Sequence, residues 1–100
     1  MTKRILTVDD SASMRMLLKA SLTKQGFAIE TADDGEHGLS RMCELNPDLL
    51  ITDINMPKMD GFELIEAVRG MPEFRGTPIL VLSTAFSDDQ KARARSAGAT

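Results

Sequence analysis

The sequence predicts an α/β domain, a doubly wound parallel sheet with helices on both faces, and three observations carry that prediction. Short apolar runs alternate strictly with helix-patterned stretches, the β-α-β-α order that builds a parallel sheet by right-handed crossovers. One run, Leu49-Leu50-Ile51, has no polar alternation, as expected of a strand buried on both faces. Acids or hydroxyls stand directly after three of the runs, at the sheet edge where open α/β folds bind their ligands.

Taken in order, Lys3 to Val8 reads as the first strand, halted by Asp9-Asp10. Ser11 or Ser13 caps a helix whose apolar face is Met14, Leu17, Leu18 and Leu22, with Gly26 closing it. Phe27 to Ala32 is the second strand, and Asp33-Asp34-Gly35 turns into a second helix with Leu39, Met42 and Cys43 inward. Pro47 disfavours helix at Asn46 and ends it. After the third strand comes the stiff stretch Asp53-Ile54-Asn55-Met56-Pro57. Asp60-Gly61 then opens a third helix to about Arg69, with Phe62, Ile65 and Val68 towards the core and Asp60 as N-cap. Gly70 to Gly76 reads as a polar connection around Pro72. Pro78 to Leu82 is a fourth buried strand ending at Ser83-Thr84. Ser87-Asp88-Asp89-Gln90 matches a capping box and starts a fourth helix through about Ala97, with Ala92, Ala94 and Ala97 inward. No linker or repeat divides the chain, so residues 1–100 are read as a single domain.

Composition narrows the function classes. A net charge of -3 without a basic stretch argues against nucleic-acid binding through phosphates. The apolar runs are too short for membrane insertion, and Asp9-Asp10 arrive before a signal-peptide core could form. A lone cysteine, Cys43, leaves no internal disulfide and fits a reducing, cytoplasmic compartment; it is expected to be a small core residue. With no Trp or Tyr, the chain offers no indole or phenol platform for stacking bases or sugars. His37, beside Glu36 early in its helix, is expected to face solvent.

Parallel β-α units bring Asp9 and Asp10, Asp53, and Ser83-Thr84 to one edge. An Asp at a strand end is, alone, an ordinary turn former, and Asp10 by itself reads as a cap for the first helix. Three carboxylates in one cleft are different: they repel one another, so one titrates high or the cluster recruits a cation. An all-oxygen donor set with room for water suits Mg²⁺ rather than Zn²⁺. A carboxylate beside Mg²⁺ and a hydroxyl donor such as Thr84 is a sensible nucleophile for a phosphoryl group.

The motifs Val8-Asp9-Asp10-Ser11, Asp53-Ile54-Asn55-Met56-Pro57, Met59-Asp60-Gly61 and Leu82-Ser83-Thr84-Ala85, in this order, resemble the receiver domains of two-component response regulators. The short chemotaxis type, CheY-like, is the nearest in character across Val8-Asp9-Asp10-Ser11-Ala12-Ser13-Met14-Arg15. The resemblance implies the flavodoxin-like strand order 2-1-3-4, which spacing alone does not give. It implies that Asp53 is the phosphoacceptor, served by a CheA-like sensor histidine kinase. Asp9, Asp10, Asp53 and the backbone carbonyl of Asn55 would hold Mg²⁺, and Thr84 would be the switch hydroxyl. Asn55 and Phe86 would tune the loss of the phosphoryl group. The domain would act on a downstream target such as a flagellar motor switch protein, and would catalyse only its own phosphorylation and dephosphorylation.

Family members continue into a fifth strand ending in Lys-Pro and a fifth helix, whereas this sequence stops at Thr100, so the resemblance implies a C-terminally incomplete receiver with the fifth β-α unit missing. An exposed edge on the fourth strand is expected to invite self-association or domain swapping. One alternative is a scaffold that has lost phosphorylation. Another is a Mg²⁺-dependent aspartyl-phosphate phosphatase, disfavoured because Asn55 stands where that chemistry wants a second Asp. A flavodoxin-like cofactor binder is disfavoured by the acidic first strand–helix turn.

Overall fold

Four strands, β1 (Arg4–Val8), β2 (Ala28–Ala32), β3 (Leu49–Thr52) and β4 (Ile79–Val81), pair in parallel in the order β2-β1-β3-β4. They are seen in a computed structural model that describes residues 2–82 and 87–100. The expected α/β class and strand order are both observed. Four helices join and follow the strands: α1 (Ala12–Lys24), α2 (Gly35–Leu45), α3 (Gly61–Arg69) and α4 (Asp88–Ala97). In register, Val8 stands beside both Ala32 and Thr52, and Thr52 beside Val81, so the carboxyl ends of the strands are level. That level edge brings residues distant in sequence together.

The helix starts follow from local chemistry. Ser11, not Asp10 or Ser13, caps α1, its hydroxyl accepting from the Met14 N–H. Asp34 caps α2 through the His37 N–H. Asp60 with Glu63, and Ser87 with Gln90, each close a reciprocal capping box. Asn46, in the left-handed region at φ 46°, ends α2 immediately before Pro47.

Most of the core lies on one face of the sheet. Leu6, Val8, Leu50 and Ile79 point to the face covered by α2 and α3, where they meet Met42, Leu64, Ile65 and Val68 in one buried cluster. Each such side chain contributes about 1.5–3 kcal/mol of transfer free energy. A second, smaller cluster of Ile54, Phe62 and Ala94 docks α4 against α3. On the opposite face α1 contributes Leu18 and Leu22 beside Ile51 and Leu80, and the covering is incomplete.

This asymmetry corrects several expectations. The third strand is not buried on both faces: Leu50 and Thr52 are fully buried, Leu49 and Ile51 only partly. Leu80 in β4 and Leu82 just past its end are 43% and 40% exposed, because they lie on the thinly covered face. No residue of α1 is buried, and Leu17 is 60% exposed. Leu18 and Leu22 lie beside the sheet residues Ile51 and Leu80, while Leu17 faces outward. Cys43 is exposed, not core: α2 buries Gly35, Gly38 and Met42, and the next residue turns about 100° away. Ala92 is likewise exposed, leaving Ala94 as the buried contact of α4.

Gly70 to Gly76 is more than a polar connection. Pro72–Phe74 forms a 3-10 turn that drops Phe74 into the main core. Arg69 fastens it, donating from Nη1 to the carbonyls of Phe74 and Arg75 and from Nε to that of Gly98. The outer edge of β4 is met at Ile79, whose carbonyl accepts from the Thr100 N–H at 2.8 Å and whose N–H donates to Thr100 Oγ1 at 2.9 Å.

Candidate functional site

Asp9 and Asp10 directly follow β1, and Asp53 directly follows β3, the strand beside β1. Each offers a carboxylate oxygen, and the three oxygens lie within 4.8 Å of one another. Asp9 is buried, Asp53 half-buried and Asp10 exposed, so the cluster has a dry floor and an open mouth.

Each carboxylate is oriented differently. Asp9 Oδ1 accepts from the Ser11 N–H at 2.8 Å, its own N–H donates to Ala32 of β2, and its carbonyl accepts from Arg15 Nη1 at 2.6 Å. Asp53 Oδ1 accepts from the Ile54 N–H at 2.8 Å, and the Thr52 hydroxyl donates to the Asp53 carbonyl. That leaves the second oxygen of each for the cleft.

The electrostatics agree with the geometry. Burial pushes the Asp53 carboxyl above the usual aspartate range, and the charges of Asp9 and Asp10 push it further, against the Ile54 N–H, which holds it down. A divalent cation would relieve that repulsion. The donor set fits one: carboxylate oxygens only, with the open side at Asp10 leaving space for the water that Mg²⁺ retains. The histidine and the cysteine lie elsewhere. His37 Nδ1 is 2.9 Å from Asp33 Oδ1, and exposed Cys43 is 3.9 Å from the Met71 sulfur.

The loop from Asp53 to Asp60 frames the mouth. Asn55 lies exposed two residues past Asp53, and Ile54 is buried beneath the loop. The Met59 N–H donates to the Pro57 carbonyl at 2.8 Å, a tight turn that places Lys58 at φ 68°. A left-handed non-glycine residue costs roughly 1–2 kcal/mol. Lys58 reaches back to within 3.6 Å of the buried Asp34 carboxylate, tying the loop to the start of α2. Thr84 and Phe86 fall outside the described residues.

Sequence reasoning brought Asp9, Asp10 and Asp53 to one edge, and the structure does bring them together. It assigned no role to Arg15 or to the Lys58–Asp34 pair. Arg15 stood within a recognised motif, but a side chain donating to a carbonyl six residues back leaves no mark in hydrophobic periodicity.

Comparison with known proteins agrees with the geometry. The family model for the response regulator receiver domain matches residues 5–100. "Response regulator MprA" of Mycobacterium tuberculosis is 37% identical over 99 residues, 99% of this chain and 42% of the relative. "Probable chemotaxis protein CheY" of Rhizobium etli is 42% identical over 81 residues, 80% of this chain and 63% of the relative. The chain spans 12% of the gliding motility regulatory protein of Myxococcus xanthus, to which it is 36% identical. Among solved structures, chemotaxis protein CheY4 of Vibrio cholerae superposes with a TM-score of 0.96 at 39% identity, covering 100% of this chain and 83% of that one.

Proposed function

This chain belongs to the response regulator receiver domain family, and from that premise we propose that it is a phosphoacceptor on which Asp53 takes a phosphoryl group from the phosphohistidine of a sensor kinase. The observation that carries the proposal is the convergence of Asp9, Asp10 and Asp53 within 4.8 Å, where burial pushes the Asp53 carboxyl up. The family is one of signalling proteins.

In the proposed reaction the Asp53 oxygen not bonded to Ile54 attacks phosphorus. The P–N bond to the kinase imidazole breaks, its electron pair leaves with that ring, and an acyl phosphate forms on Asp53. Asp9, Asp10, Asp53 and the Asn55 carbonyl are the residues proposed to hold Mg²⁺. The ion, when bound, would neutralise charge between carboxylates and phosphoryl oxygens. The Ile54 N–H fixes the Asp53 rotamer, so the nucleophile is oriented before its donor arrives. Thr84 is proposed as the hydroxyl that donates to the phosphoryl oxygen.

A chemotaxis role, with a CheA-like kinase and a flagellar motor switch protein as target, is the finer part of the proposal. Its support is the likeness to proteins named CheY in Rhizobium etli and Vibrio cholerae. A cytoplasmic site of action belongs to the same proposal, since the kinase draws its phosphoryl group from ATP. No helix among the described residues is long and apolar enough to cross a membrane.

Site mapping tests the assignment. After reaction with phosphoramidate, a small donor with the same P–N bond, borohydride reduction traps an acyl phosphate and peptide mapping reads its position. Label on Asp53 is expected; label on Asp9, Asp10 or another residue would overturn the assignment.

A further inference from the structure

Arg15 holds the acidic edge by its backbone. Its Nη1 donates to the main-chain carbonyl of Asp9 at 2.6 Å, across the start of α1. That carbonyl belongs to the peptide unit joining Asp9 to Asp10, which is planar and stiff. Fixing its oxygen restricts the directions in which both residues project their carboxylates. Asp9 has other restraints, from Ala32 on its N–H and Ser11 on Oδ1. Asp10 is exposed, and among the described residues no hydrogen bond holds its side chain. The peptide unit that Arg15 grips is therefore the main restraint on where the Asp10 carboxylate can go.

We infer that Arg15 is a positioning residue for the Asp9–Asp10 carboxylate pair, and that its bond to the Asp9 carbonyl sets how tightly the site takes a divalent cation. This inference rests on reading the acidic cluster as a cation site. Positioning and charge make opposite predictions. A guanidinium near a cation site repels the cation, so if charge were its only effect, removing Arg15 would tighten Mg²⁺ binding. If Arg15 orients the carboxylates, removing it loosens binding, because the site must then be ordered at the moment the ion arrives.

The test is calorimetric titration of wild type, Arg15→Met and Arg15→Lys with Mg²⁺, together with the amide resonance of Asp10 in metal-free protein. Arg15→Met is expected to weaken Mg²⁺ binding about tenfold or more, the scale seen when a partner of a metal ligand is removed. Arg15→Lys keeps the charge but loses the planar donor, so it is expected to fall between Met and wild type. The Asp10 amide is expected to shift or broaden in Arg15→Met before any metal is added.

Equal or tighter Mg²⁺ binding by Arg15→Met, with Arg15→Lys matching wild type, would overturn the inference and leave the arginine as a charge alone. If Arg15→Met does not fold, Arg15→Lys decides: weakened binding at unchanged charge supports positioning, and unchanged binding overturns it. If wild type binds no Mg²⁺, or Asp9→Asn binds as well as wild type, the cation-site reading itself fails and takes this inference with it.

Discussion

The main-chain carbonyl of Asp53 occupies the space that a Cβ on Gly61 would need, and the Gly61 N–H donates to the Ile54 carbonyl at 2.8 Å. The first turn of α3 is therefore stacked directly on the backbone of the acidic loop. A glycine is required there for close approach, since its φ is not in the left-handed region.

Gly61→Ala is accordingly expected to push α3 off the Asp53 carbonyl. The cost should be about 1–3 kcal/mol, the usual range for forced overpacking. Urea denaturation measures it, and phosphoryl uptake should fall in parallel because Asp53 is displaced. An alanine variant with the wild-type midpoint and normal uptake would mean that the loop and α3 separate freely.

The raised Asp53 carboxyl makes a signed prediction about pH. Because its folded value lies above the ordinary 3.8, the folded chain binds that proton more tightly than the unfolded chain. Below 3.8 both states are protonated and Asp53 costs nothing; as pH rises through the window between the two values, stability is lost, and the loss is complete above the folded value. Asp53→Asn should therefore melt higher than wild type at neutral pH without Mg²⁺, the gain disappearing at acid pH. Added Mg²⁺ should narrow the gap by stabilising wild type. A constant difference across pH would show that ionisation of Asp53 is not its origin.

Two substitutions test the core as drawn. Phe74 is 2% exposed beneath the 3-10 turn, so Phe74→Ala is expected to cost about 3–5 kcal/mol. Cys43 lies on the surface, so Cys43→Ser should change stability by no more than about 0.5 kcal/mol. Chemical denaturation of both reads the contrast directly. A costly Cys43→Ser with a mild Phe74→Ala would reverse the assignment of inside and outside.

Phe74 and Cys43 also show where the sequence was legible. Strand and helix identities followed from apolar runs and capping residues, and Asp60, Ser87 and Ser11 or Ser13 marked helix starts because a cap is a local hydrogen bond. The acidic cluster was legible because parallel topology levels the strand ends, placing Asp9, Asp10 and Asp53 together without side-chain detail. What failed was burial decided by neighbours distant in the chain. Leu80 and Leu82 read as core, yet they face a side of the sheet that α1 only partly covers. Leu17 fits the helical apolar pattern, but a helix with one packed flank buries a single stripe. Phe74 sat among Gly, Pro and charged residues, so its environment concealed a core side chain. Arg15 and Lys58 act through hydrogen bonds and charge, which periodicity does not record.

The central claim, that Asp53 is a Mg²⁺-dependent phosphoacceptor, is met most directly by intact-mass measurement after incubation with a small-molecule phosphodonor, with and without Mg²⁺, on wild type and Asp53→Asn. A gain of a single phosphoryl group by wild type only when Mg²⁺ is present, and no gain by Asp53→Asn, is the expected result. Equal labelling of Asp53→Asn, or no adduct on wild type under any condition, would contradict it.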